Sequence, residues 1–127
     1  MSGPTTPAQL LEVARTLGAS TEWRVSGWAT RAVAVLVRQA VEMWLVEYWE
    51  VTEPAIATST RKAQFLLLHD SLPSDAAAAA HTAWTQLSHA CHHRAFDLEP
   101  TLGQAQAWIA QAEAFRDALQ HASRELR

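Results

Sequence analysis

The run from Trp28 to Trp49 limits the possible folds more than any other stretch. Within it Val33, Leu36, Val37, Ala40, Met43, Trp44 and Tyr48 recur at spacings of three and four, the period of one helix face. Val35, Val41, Leu45 and Val46 widen that face beyond an ordinary stripe. Arg38, Glu42 and Glu47 interrupt the run, so no stretch of about eighteen uncharged apolar residues survives and no membrane span is expected. A helix so broadly apolar belongs at the centre of a bundle, or supplies a dimer surface as well. Arg38 and Glu42, four apart, are expected to pair on the wet side.

The remaining segments fall around this helix. Residues 1–5 read as a flexible tail and residues 6–125 as a single helical-bundle domain. Thr6 offers an N-cap, Pro7 the first helical position and Gln9 a capping-box partner; Gly18 is the expected stop. A linker carrying Trp23 and Val25 precedes the central helix. Thr52 to Thr60 reads as a loop. A third helix is expected from Thr60 to Asp70, with Phe65 to Leu68 buried on more than one side. Ser74 is the expected cap of a fourth helix running to about Arg94, with Ala76, Ala80, Ala83, Trp84, Leu87 and Cys91 as its apolar stripe. Phe96 and Leu98 should anchor the following loop. Thr101 and Gln104 form a second capping box, and Ala105, Trp108, Ile109, Ala112, Phe115, Leu119 and Ala122 give the last helix a clean stripe before a fraying tail. No segment shows convincing strand alternation, so the fold class is all-α, a bundle of about five helices.

Chemistry concentrates between His89 and Arg94, where three histidines, one cysteine and an arginine fall within six positions. His89 and His93 share a helix face at a spacing that transition metals use. A third ligand would have to come from His69, His81, Asp97 or Glu99. Neither HExxH nor a paired-cysteine motif is present, and no metal or other cofactor is expected. Two other readings of the cluster stand beside that one. It can be a solvated group at a helix C-terminus, or His89, His92, His93 and Arg94 can form a local patch for RNA phosphate. The formal charge of −3 gives no general basic surface, so such a patch must act locally. Cys91 is the sole cysteine, which rules out an internal disulfide and suits a cytoplasmic location; on its helix it reads as a small buried hydrophobe. No secretory leader is expected from the polar residues MSGPTTP, and there is no GxSxG and no phosphate-cradling glycine loop.

The segments STRKAQFLLLHD, AWTQLSHACHHRAFDLEPT and AWIAQAEAF, spanning the C-terminal half to about Phe115, resemble a family of short actinobacterial proteins assigned to the HEPN superfamily. The resemblance implies a bundle of four or five helices and a homodimer. It also implies RNA or nucleotide as ligand, with metal-independent endoribonuclease activity in toxin–antitoxin or related systems. Some members are non-catalytic and assist a nucleotidyltransferase partner. Active members carry an arginine, then four to six residues, then a histidine. In the family stretch the arginine position is His89 and the last histidine position is Arg94, an inverted order that does not carry the catalytic role over. A formal match lies at Arg116 and His121, but such spacings arise readily by chance. On a continuous helix these two side chains point ~140° apart. The sequence therefore leaves two functional classes open: a HEPN-like protein acting on RNA or nucleotide as a dimer, and a non-catalytic helical module whose tryptophan-rich faces bind itself or a protein partner.

Overall fold

The computed structural model describes residues 3, 5–19, 28–92 and 100–125. Six α-helices follow one another: α1 (Pro7–Ala19), α2 (Trp28–Thr52), α3 (Pro54–Ala57), α4 (Arg61–Leu67), α5 (Ser74–Cys91) and α6 (Leu102–Glu125). A 3-10 turn, Leu68–Asp70, closes α4, and there is no strand among the described residues. The all-α class is as expected. The count exceeds five because the loop around Pro54 contains a one-turn helix, with the proline in its first turn where a missing N–H costs nothing.

Helix α2 is the axis, packing against α1, α3, α4, α5 and α6. Val33, Ala34, Val37, Ala40, Val41, Leu45, Tyr48 and Trp49 are all buried, which is why its apolar face is so wide. Cross-contacts fix the directions. Arg31 meets Ala90 and Glu42 meets Trp84, so α2 and α5 run antiparallel. Helix α6 borders α2 near Arg31 through Gln104 and Trp108 and near Trp44 through Arg116, so it runs parallel to α2 and antiparallel to α5, which it meets where Trp108 bonds Gln86. Phe65 of α4 fills the space between them, with its ring centroid 5.0 Å from that of Trp84 and 6.0 Å from that of Phe115.

Both capping boxes form. Thr6 Oγ1 accepts from the Gln9 N–H at 3.2 Å while Gln9 Oε1 accepts from the Thr6 N–H at 3.1 Å. The Thr101 and Gln104 pair repeats this at 3.0 and 2.8 Å. Gly18 does not stop α1, which continues one residue to Ala19. Ser74 is not a cap: it is the first residue of α5, Pro73 holds the cap position, and Asp75 Oδ1 accepts from the Ala76 N–H instead. Helix α5 ends at Cys91 because His92 turns extended (φ −93°, ψ 100°). The tail, Trp23, Val25, Phe96 and Leu98 lie wholly or partly outside the described residues.

Among the described residues Gln64 is the one polar side chain wholly removed from solvent. Its Nε2 donates to the Ala57 and Ser59 carbonyls at 3.2 and 3.0 Å, while its backbone carbonyl accepts from Trp49 Nε1 at 3.2 Å. One residue thus ties the end of α2, the turn after α3 and the body of α4 into a single corner.

Candidate functional site

Among the described residues two recesses flank α6, and of the site residues singled out by sequence His89 lines one and Arg116 the other. The first lies where α5 ends and α6 begins. It is a cleft of about 520 Å³ with Arg31, Thr85, Gln86, His89, Gln104 and Trp108 on its walls. Helix α5 leaves its last carbonyls without intrahelical partners, and Arg31 Nη1 donates to one of them, that of Ala90, at 3.0 Å. This contact places a guanidinium at the negative end of α5 and at the rim of the cleft. The capped N-terminus of α6 faces the same space through Gln104. Trp108 Nε1 donates to Gln86 Oε1 at 3.4 Å, which closes the cleft floor between the two helices. His89 is exposed on this wall; His92 is also exposed, beyond the helix end. His93 and Arg94 lie outside the described residues, as do Asp97 and Glu99.

The second recess separates the C-terminal halves of α2 and α6. It is a groove of about 720 Å³, and Arg116 lines it while His121 does not. The Arg116 guanidinium lies 5.9 Å from the Trp44 ring centroid, and its Nε and Nη2 both donate to Asp117 Oδ1 at 3.1 Å. His121 Nε2 stands 3.1 Å from Glu125 Oε1 on the solvent side of an unbroken α6. Within one chain, therefore, Arg116 and His121 serve different faces and do not converge.

Sequence reasoning missed a line of polar residues on α2. Arg31, Arg38 and Glu42 follow spacings of seven and four, hence one face, and that face meets α5 rather than water. Arg38 and Glu42 do pair, Nε to Oε1 at 3.6 Å, but half-buried in the seam, where Glu42 also accepts from Trp84 Nε1 at 3.3 Å. Whole-turn spacing of charges on an otherwise apolar helix was the available signal. Cys91 packs against this seam. Burial pushes its thiol above the usual cysteine value, and the neighbouring Arg38 only partly opposes that, so it is not an activated nucleophile. The His81 ring lies nearly parallel to that of Phe65, with centroids 6.1 Å apart. Among the described residues, no three His, Cys, Asp or Glu side chains gather to hold a metal ion. No described helix is long and apolar enough to cross a membrane.

No protein-family model matches this chain, nor does any curated protein or solved structure.

Proposed function

We propose that this chain is a HEPN-like helical protein that binds RNA or nucleotide in the cytoplasm as a homodimer. In this reading the cleft between α5 and α6 receives phosphate. The observation that carries it is the meeting of His89, the Arg31 guanidinium and the N-terminus of α6 around one cleft in a chain of net negative charge. Binding, rather than cleavage, is the activity favoured. Arg116 and His121 diverge within the chain, so ribonuclease chemistry from that pair requires residues of two copies.

The test is fluorescence anisotropy with a single-stranded RNA oligonucleotide over a range of salt. Binding should weaken with salt, and His89→Ala should lower affinity. Cleavage of the same RNA, lost in His121→Ala or in the His92→Ala/His93→Ala double variant, would locate a catalytic site as well. Salt-insensitive or absent binding sinks this reading in favour of a non-catalytic interaction module, for itself or for a partner such as a nucleotidyltransferase. That second reading draws on the apolar side chains α4 and α2 leave in water, Leu66 and Leu67 at 48% and 39% exposure and Val51 at 82%.

A further inference from the structure

We propose that the outward face of α4 is a self-association surface, on which a second copy of this chain packs its own α4 antiparallel about Leu66. Helix α4 turns Phe65 and Leu68 into the core and leaves Leu66 and Leu67 in water at 48% and 39% exposure. The core side of α4 is already filled, so burying this pair takes a surface from outside the chain. The proposal rests on the homodimer of the RNA-binding reading and assigns it a face; it does not need RNA.

Leu66 stands at the middle of a symmetric pattern. Four and three residues before it are Lys62 and Ala63; three and four residues after it are His69 and Asp70. These spacings make all four its neighbours on the helix surface, and the 3-10 turn carries the helix on to Asp70. Lys62, His69 and Asp70 are exposed, and Ala63 is partly so. A twofold axis through Leu66 sets the second helix antiparallel. Leu66 then meets the partner's Leu66, Lys62 meets the partner's Asp70, and the small Ala63 meets the partner's His69. Parallel packing would instead set lysine on lysine and aspartate on aspartate.

Contacts within the chain do not account for these charges. Neither Lys62 nor Asp70 has an ion-pair partner among the described residues. Both also oppose the dipole of their own helix: the first turn of α4 holds base and no acid, and the acid comes after the last turn. Against an antiparallel copy each charge meets an opposite charge and the oppositely signed end of the facing helix. A twofold seam needs a surface that carries its own complement, and this one does. An anionic partner such as RNA or a lipid surface would meet Asp70 as well as Lys62. One short helix buries less than a standard interface, so the association is weak and depends on concentration.

The experiment is sedimentation equilibrium of the full chain over a roughly hundredfold range of concentration. The mean mass should climb from 14.0 kDa toward twice that value. Leu66→Gln, at an exposed site, should weaken association at least about tenfold and leave the helical circular dichroism unchanged. Lys62→Glu and Asp70→Lys should each weaken it about fivefold, and the double variant should return to within about twofold of the parent. Val51→Gln, at the exposed end of α2, should change nothing. A chain that stays monomeric overturns the proposal and the homodimer together, while RNA anisotropy reports on RNA binding separately. A dimer that Leu66→Gln leaves intact, that Val51→Gln dissolves, or that the double variant fails to restore overturns this seam alone. Capture of a monomeric chain by phosphatidylserine vesicles, lost in Leu66→Gln, would overturn it in favour of a lipid surface.

Discussion

Where α6 begins, its cleft against α5 is walled by His89, Gln86, Gln104 and Arg31; toward its other end, its groove against α2 is floored by Trp44, Tyr48 and Leu119. The buried stripe of α6 is continuous from Ala105 to Ala122 and changes little between the two. What changes is the neighbour. Helix α5 approaches with its C-terminal end, which needs polar partners, whereas α2 approaches with the flank of its apolar face. One helix can thus border two chemically different recesses without altering its own pattern. A change in the shared frame should take both recesses, and a change in a neighbour should take one.

The largest expected effect tests the shared frame. Phe65 is fully buried and contacts the rings of Trp84 and Phe115, so it holds α4, α5 and α6 together. Phe65→Ala should cost about 3–5 kcal/mol of unfolding free energy in urea and abolish RNA binding with it. A variant that keeps RNA binding at full strength would show that the cleft does not depend on this packing. Next, Tyr48→Phe and His89→Ala should separate the recesses. Tyr48→Phe removes a buried hydroxyl without a partner among the described residues, so stability should hold or rise by about 1 kcal/mol with RNA binding unchanged. His89→Ala, at an exposed site, should stay within about 0.5 kcal/mol while RNA binding falls.

A smaller effect concerns how dry the α2–α5 seam is beside the cleft. Burial raises the Cys91 thiol in the folded chain, opposed in part by Arg38, whereas an unfolded thiol titrates near ~8.5. Folding therefore favours the neutral thiol. That contribution is whole below about pH 8.5 and fades as pH rises toward the folded-state value. Urea midpoints taken across this interval should fall more steeply for the parent than for Cys91→Ala; identical slopes would mean that the thiol is as well solvated folded as unfolded. The smallest effect lies at the far side of α6, where Arg15 Nη2 meets Glu113 Oε1 at 2.7 Å with both side chains more than a third exposed. Glu113→Ala should cost about 0.5 kcal/mol at low salt and less at high salt, by thermal melting, with both recesses intact.

Much of this frame was legible in the residues. Every member of the α6 stripe named from periodicity is buried, and both capping boxes bond as their spacing predicts. Phe65 to Leu68 was misread because a helix turns through about 100° per residue. Four consecutive apolar side chains cannot all face one core; Phe65 and Leu68, three apart, do so, and Leu66 and Leu67 stay in solvent. The Arg38–Glu42 pair was assigned to water because sequence spacing reveals which residues share a face but not what that face meets. The same limit hid both recesses. Tyr48 reads as core from its own helix, and only the placement of α6 alongside shows that its hydroxyl has nowhere to bond. Half of the histidine–arginine cluster, His93 and Arg94, lies beyond the described residues, so the corner is known from His89 and His92.

The corner held by Gln64 carries a consequence for chain length. Its amide reaches the carbonyls of Ala57 and Ser59 while its backbone anchors Trp49, so the span from the end of α2 to the start of α4 behaves as a strut of fixed measure. An extra residue between Ala57 and Ser59 would carry one carbonyl away from a donor too confined to follow. Surface connections ordinarily tolerate insertions; this one should not.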